Sequence, residues 1–535
     1  MTKTNAIITF SIALFLSGHC AAFAEDATEQ VFKQASKSAE IAGYSFSKVH
    51  RWLHERALKQ IDPATGLYKA DGKWNYRDTA ADCYPFLVWA AYVVDQKALD
   101  GPVRDILHTE MKLCNQYDRI PVPYDFATGG KMENLPWDEV VFQASEYVKD
   151  GLVAIVEATG KDEWFDRMKG IEEDLWKYAR VETPYGKIVS TNVEVNGEQL
   201  PALTRLYTMT GEKKFLTWAE RLGDYYLAKG DFVPSRLRDH GCEIIGGLGL
   251  LLGVESHVNP QKAEPYRKAI KYMFDQILER GLNADGLMLN TIAKTPGSHE
   301  GALSDGWGYN YVGYLCYDMA VGKPVYRAQV ERTLANLLKP QYKNYPWEGK
   351  SIDGYADSIE GGIYLVNRLP VKPALEWIDR EMAVNVARSD QPLETAELWG
   401  TMKLESNGVR TVIMHALMHT RGLIARPWRS DLKLGAAQTG DALAIVLKAE
   451  RPWEGKLIFD IPRYRQYMGF SKDWPRINTL PEWFTVDSKA QYIIRDISTD
   501  SSILRTGEEL HAGFSVDALA NGEIRLLVER RDRGA

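Results

Sequence analysis

Acidic side chains stand at the starts of five apolar helical stretches. Asp78-Thr-Ala-Ala-Asp82-Cys-Tyr84 opens the first and Asn196-Gly-Glu198 another. Asp239-His240-Gly-Cys-Glu243, Ser304-Asp305-Gly-Trp307-Gly-Tyr309-Asn310 and Asp357-Ser-Ile-Glu360 open the rest. Taken singly, an acid at a helix start reads as a cap worth about 1 kcal/mol. Taken as a set on one rim, with the rings of Tyr84, Trp307 and Tyr309 among them, they read as a site for general acid and base chemistry. Glu198 and Glu243 share a frame: each is followed by two residues, then by two small or proline residues, then by leucine. On adjacent packed helices, whose axes lie about 8–10 Å apart, that frame predicts two carboxyls at one height. This approximates the roughly 6.5–9.5 Å of an inverting glycosidase pair, in which one acid protonates the leaving oxygen and the other activates water. The roles stay open, with a lean to Glu243 as the acid because Ile244 and Ile245 follow it and apolar surroundings raise a carboxyl's proton affinity.

The remaining polar residues of the rim, Asp82, Tyr84, Arg238, Asp305, Trp307, Tyr309, Asn310, Asp357 and Glu360, are expected to bind substrate. His240 is open to three readings: catalytic base, substrate donor or structural histidine. Arg236 and Arg238 present forks that suit a carboxylate, or they are solvated surface residues. His415 and His419 have the i, i+4 spacing of a metal pair, but no third ligand is evident in sequence, so a packed or hydrogen-bonded pair is the favoured reading. No metal and no cofactor is expected. Gly246-Gly247-Leu-Gly249 follows no strand, so it reads as a close-packing surface between helices and not as a dinucleotide loop.

These residues need a scaffold that gathers helix starts. From Thr28 to about Arg421 the chain has helical periodicity. Thr159-Gly160 and Thr210-Gly211 end helices roughly 50 residues apart, and Val321-Gly322 ends another about two such intervals on, the spacing of a repeated two-helix unit. Helices apolar all round (78–95, 139–158, 198–209, 243–254, 307–320, 359–369) alternate with amphipathic, charged ones, which predicts buried helices ringed by solvent-facing ones. Six such units predict an (α/α)6 toroid over 25–430, an open helical solenoid being the alternative. After Trp428 the texture becomes short alternating runs broken by Asp, Gly, Pro and Ser, which predicts a C-terminal antiparallel β-sandwich over 431–535. Inside it lies an aromatic, Pro-containing loop, 468–484; long loops in compact domains are usually functional or pack on a neighbour.

The chain has 535 residues, with 72 Asp plus Glu against 65 Lys plus Arg and a net charge of −7. That balance lacks the broad basic surface of a nucleic-acid binder. Lys3, the apolar run 6–17 and Ala22-Phe23-Ala24 have the form of an export signal cleaved after Ala24. The run is too short to span a bilayer, so a periplasmic or secreted protein without a membrane span is expected. Cys83, Cys114, Cys242 and Cys316 remain after cleavage and read as buried thiols, a Cys83–Cys114 bridge being open in an oxidising compartment.

Ala80-Ala-Asp-Cys-Tyr-Pro-Phe86, Arg238-Asp-His-Gly-Cys-Glu243, Arg426-Pro-Trp-Arg429 and Asp473-Trp-Pro-Arg-Ile-Asn478 resemble exported bacterial carbohydrate-active proteins, and among named families glycoside hydrolase family 154, the exo-acting β-glucuronidases. The resemblance implies a helical toroid with a C-terminal β domain. It also implies release of a terminal glucuronic acid from an oligosaccharide or polysaccharide, and makes Glu243, His240 and Asp82 site members. The R-G-N-G-W motif of the unsaturated glucuronyl hydrolases is absent; Asp305-Gly-Trp-Gly-Tyr309 is at best its distant analogue. A polysaccharide lyase is the second reading, with His240, Tyr309, Asn196 and Arg238 abstracting a proton and neutralising a uronate. A non-catalytic glycan-binding protein is the third.

Overall fold

The computed structural model describes residues 6–238, 241–293, 301–387 and 407–531. The chain forms two compact units, each discontinuous in sequence: Val49–His415 with Pro462–Glu482, and Met1–Lys48 with Ala416–Ile461 and Trp483–Ala535. His240 lies outside the described residues.

In the first unit, helices that are buried nearly all round follow one another as neighbours. Val193–Thr210 packs on Glu243–Val258, that helix on Trp307–Val321, and that in turn on Ile352–Arg368. Tyr84–Val94 packs on the helical stretch 137–159, whose middle also meets Val193–Thr210. The gap between the last and the first is filled by a helix not among the six expected. Asn407–Thr420 is almost wholly buried. Thr411 donates to the Ala356 carbonyl at 3.2 Å on one side, and the Arg410 guanidinium lies over the Phe86 ring at 5.1 Å on the other. The inner circuit of this unit is therefore seven helices among the described residues. Amphipathic helices such as Glu163–Lys177, Lys213–Leu227 and Pro260–Arg280 stand between successive inner ones. They bury one stripe and expose the other, as their periodicity requires.

Glycine permits the close approach of the inner helices. A Cβ on Gly308 would lie 2.4 Å from the Gly361 backbone, and one on Gly197 would lie 2.6 Å from Ile244 N. Gly246, in contrast, faces open space. Gly308→Ala is expected to destabilise by at least about 1–3 kcal/mol through overpacking. Gly246→Ala should be neutral or stabilising by about 0.5–1 kcal/mol, because Gly is costly inside a helix. Urea denaturation of both variants measures the contrast. The predicted terminators hold: Gly211 and Gly322 end their helices in the left-handed region (φ 74° and 69°), and Gly160 ends its helix at φ 80° and ψ −149°.

The second unit carries two antiparallel sheets. The five-stranded one runs Ser501–Thr506, Gln491–Asp496, Gly522–Arg530, Ala442–Ala449, Leu432–Thr439, and the three-stranded one Phe514–Ala518, Trp453–Ile458, Ile424–Arg426. A helix covers a face of the larger sheet: Val31, Phe32, Ala35 and Ala39 pack on Ala437, Ala444 and Val446. Gly435 admits that helix so closely that a Cβ there would lie 2.0 Å from Ala39 N. The four described cysteines are buried free thiols, Cys83 and Cys114 among them. No described helix is long and apolar enough to cross a membrane.

Candidate active site

Inner helices of the first unit line a cavity of about 70 Å³, room for about five waters at roughly 10–15 Å³ each. Asp357 and Glu360, expected to open their helix, lie inside that helix, because it begins already at Ile352. Its lining holds Asp82, Asp150, Glu243, Asp353, Asp357 and Glu360 with Lys149, Arg410, Tyr309, Asn407, Cys242, Gly306, Ile477 and Asn478. Asp82 belongs to a π-helical turn, Thr79–Cys83, that leads into Tyr84–Val94. Lys149 and Asp150 belong to a second one, Tyr147–Val153, inside the stretch 137–159. Such turns carry an extra residue that swings side chains out of helical register and are frequent at functional sites. The two turns press together where a Cβ on Gly151 would lie 2.8 Å from the Ala80 carbonyl. Glu243 is the first residue of its helix, Tyr309 sits in the first turn of Trp307–Val321, and Arg410 lies in the first turn of Asn407–Thr420.

The charges fall into two groups. In one, the Lys149 ammonium lies 2.7 Å from Asp150 Oδ1 and 2.7 Å from Glu243 Oε1, and the Asn478 amide donates to Asp150 Oδ1 at 2.8 Å. Burial works against the Lys149 charge, but Asp150 and Glu243 raise its proton affinity well above the ordinary value, so it stays an ammonium. In the other, Arg410 lies 2.6 Å from Asp357 Oδ1 and pairs with Glu360 Oε2. The Tyr309 hydroxyl donates to Glu360 Oε2 at 2.5 Å and accepts from Arg410 at 3.1 Å, while the Tyr364 hydroxyl donates to Glu360 Oε1 at 2.8 Å. Asn407 donates to Asp353. One guanidinium cannot neutralise all these acids. Burial first, then the charges of Asp353, Asp305 and Glu360, push Asp357 well above the carboxylate range against the pull of Arg410. Asp357 therefore takes up a proton more readily than an ordinary carboxyl, despite its Arg410 partner.

Of the residues expected from sequence, the cavity wall takes Asp82, Glu243, Tyr309, Asp357 and Glu360. Glu198 is fully buried but is not part of that wall. Gly197 is the residue that meets Glu243, and Glu198, a 100° step further round its helix, faces Glu146 and Glu194, one oxygen of each lying within 4.8 Å of the others. Burial and then the Glu198 charge push Glu146 well up. The shared frame of Glu198 and Glu243 does not bring the two carboxyls into one cavity.

Tyr84 is structural: its hydroxyl donates to the Val103 carbonyl at 3.1 Å and accepts from Trp164 at 2.8 Å. Trp307 donates to Ser358 at 2.9 Å, and Asn310 donates to the Leu237 and Gly306 carbonyls at 2.8 and 3.0 Å. Arg238 pairs with Glu348 at 2.8 Å. Asp305 accepts from the Gly306 backbone at 2.9 Å and reaches the site through its charge on Asp357. Asn196, offered for a lyase, donates to Ser190 O and Tyr226. His415 lies 2.9 Å from Asp379, and His419 lies 3.3 Å from Ser38.

Sequence reasoning missed Lys149, Asp150, Asp353, Asn407, Arg410 and Asn478. A signal for three of them was present. Lys149-Asp150 interrupts an otherwise apolar inner helix, and Arg410 stands alone in Val409-Arg-Thr-Val-Ile413; charges buried in apolar helices must be paired.

No family model and no curated protein matches the chain. It is similar to several solved structures at low identity. An α-1,6-mannanase, GH76A of Salegentibacter sp. HEL1_6, is 14% identical over 57% of this chain and 95% of that one, with a TM-score of 0.40. A GH127 β-L-arabinofuranosidase from Geobacillus stearothermophilus T6 is 11% identical over 94% and 80%, with a TM-score of 0.38. An unsaturated glucuronyl hydrolase from Bacillus sp. GL1 is 13% identical over 57% and 90%, with a TM-score of 0.34. At such scores the likeness decides neither reaction nor substrate, and the chemistry rests on the cavity itself.

Proposed function

We propose that the protein is a glycoside hydrolase in which Asp357 is the general acid and Glu243 the ionised carboxylate, acting on a terminal uronic acid of a glycan. One observation carries this reading: a single polar cavity is lined by Asp357, whose proton affinity burial and neighbouring charges raise, and by Glu243, which an ammonium meets at 2.7 Å. An acid that can give a proton beside a second carboxyl paired with an ammonium is what acid and base catalysis of glycoside cleavage requires. As the bond from the anomeric carbon breaks, the Asp357 proton passes to the departing oxygen. Glu243 takes a proton from the water that attacks the anomeric carbon, or attacks that carbon itself. The first product anomer separates these: an inverted anomer assigns Glu243 as base, a retained one as nucleophile. In this arrangement Glu243 takes the deprotonated role, opposite to the lean drawn from its Ile-Ile neighbours.

The uronate preference is the finer part of the proposal and rests on charge. Lys149 and Arg410 are the cations of the cavity wall, and each already meets two acids. A sugar carboxylate is received there by sharing one of these cations with its present partners. With nitrophenyl glycosides, the expected result is turnover of the β-glucuronide with a lower KM than for any neutral glycoside that is cleaved. Faster cleavage of the β-glucoside than of the β-glucuronide at every pH would remove the uronate preference, and no turnover across the panel would remove the hydrolase. Against a lyase stands Tyr309, whose hydroxyl is committed to Glu360 and whose proton affinity burial raises well above the ordinary phenol value, the wrong direction for a base.

A further inference from the structure

The loop 462–482 lies between strands of the second unit in sequence, yet it belongs to the helical unit. We infer that Asn478, delivered by this loop, is a positioning residue that sets the Lys149–Glu243 pair by holding Asp150; the role for Glu243 rests on the hydrolase reading above.

The loop is tied down by buried charge. The Arg476 guanidinium lies 2.7 and 2.9 Å from the two Glu157 oxygens, and Arg205 lies 2.7 Å from Glu157 Oε1 while donating to the Ile477 carbonyl at 2.8 Å. Thr479 donates to Glu157 Oε2 at 3.0 Å, and Arg463 donates to the Leu480 carbonyl at 2.6 Å. Between these anchors Asn478 has φ 57°, the left-handed region that asparagine tolerates better than other side-chain-bearing residues. That backbone places Ile477 and Asn478 in the cavity wall. The Asn478 amide donates to Asp150 Oδ1, the same oxygen that lies 2.7 Å from Lys149. Lys149 is thus shared between Asp150 and Glu243. The amide gives Asp150 a donor besides the shared ammonium. Without it, Asp150 loses that donor and draws more strongly on the shared ammonium.

The test uses Asn478→Gly, which keeps the left-handed backbone and removes the amide, and Asn478→Asp, which keeps the shape and turns an oxygen towards Asp150. Both are expected to melt near the parent temperature. Expected for Asn478→Gly is a kcat lower by about 10- to 100-fold with KM nearly unchanged, the scale of a small misplacement of a reacting group, and a larger loss for Asn478→Asp. Unchanged kcat in a folded Asn478→Gly, or a loss borne by KM alone, would overturn the inference. A crystal structure of Asn478→Gly decides the same point without turnover: the Lys149 to Glu243 contact is expected to lengthen, and its retention at about hydrogen-bond distance would overturn the positioning role whatever reaction the cavity performs.

Discussion

Asp357→Asn is expected to lower kcat on a nitrophenyl glycoside by about 10²- to 10⁴-fold, the usual contribution of a general acid. The amide fills the same space and still accepts from Arg410, but it has no proton to give. The loss should shrink as the leaving group becomes more acidic, because a stable phenolate departs without protonation. Glu243→Gln should lose a comparable factor with no such relief, since water must still be activated, or the anomeric carbon attacked, whatever departs. Steady-state kinetics on a series of substituted phenyl glycosides separates the two slopes. Parallel losses for both variants across the series would remove the assignment of Asp357 as the proton donor. Retained sugar binding without turnover in both variants would, in turn, exclude a protein that only binds glycans.

Glu157→Ala is expected to cost about 3–5 kcal/mol, because it leaves the Arg205 and Arg476 guanidiniums buried without their shared carboxylate. The parent protein should show the same dependence in its response to acid. Burial raises the Glu157 proton affinity, but Arg476 and Arg205 outweigh it and hold the group down at about 2, against 4.5 for an ordinary glutamate. A depressed native value stabilises the fold above the unfolded value and loses that contribution as pH falls from about 4.5 through about 2, on the order of 3 kcal/mol in all. Urea midpoints followed across that window are expected to fall more steeply for the parent than for Glu157→Gln, which has no carboxylate to protonate. Equal slopes would mean that the triad does not carry the acid response. Because Arg205 and Thr479 flank the cavity residues Ile477 and Asn478, loosening the triad should also lower kcat before the protein unfolds.

Much of this arrangement was legible in the residues. Alternation of apolar and amphipathic helices, each interval closed by a glycine, identifies inner and outer helices, because a helix apolar all round has no face to offer water. The crowding of acids at inner helix starts located the rim, and five of the twelve expected site residues, Asp82, Glu243, Tyr309, Asp357 and Glu360, line the cavity. The seventh inner helix was passed over because it follows a long polar segment, so its apolar run was read only for its histidine pair. Which acids share the cavity was not written along the chain. A residue beside its helical neighbour points 100° away from it, so Glu198 turns aside where Gly197 meets Glu243, and Tyr84, Trp307 and Asn310 spend their polar atoms on neighbouring backbone and side chains.

The chain alone therefore determined the helical class and the sheet-forming tail, because these depend on local periodicity and on the polarity of each turn. Tertiary structure decided the partners. Lys149 comes to Glu243 from 94 positions away, and Asn478 comes to Asp150 from 328 away. Charge pairing in a buried cavity is set by distances through space, and sequence separation says nothing of them.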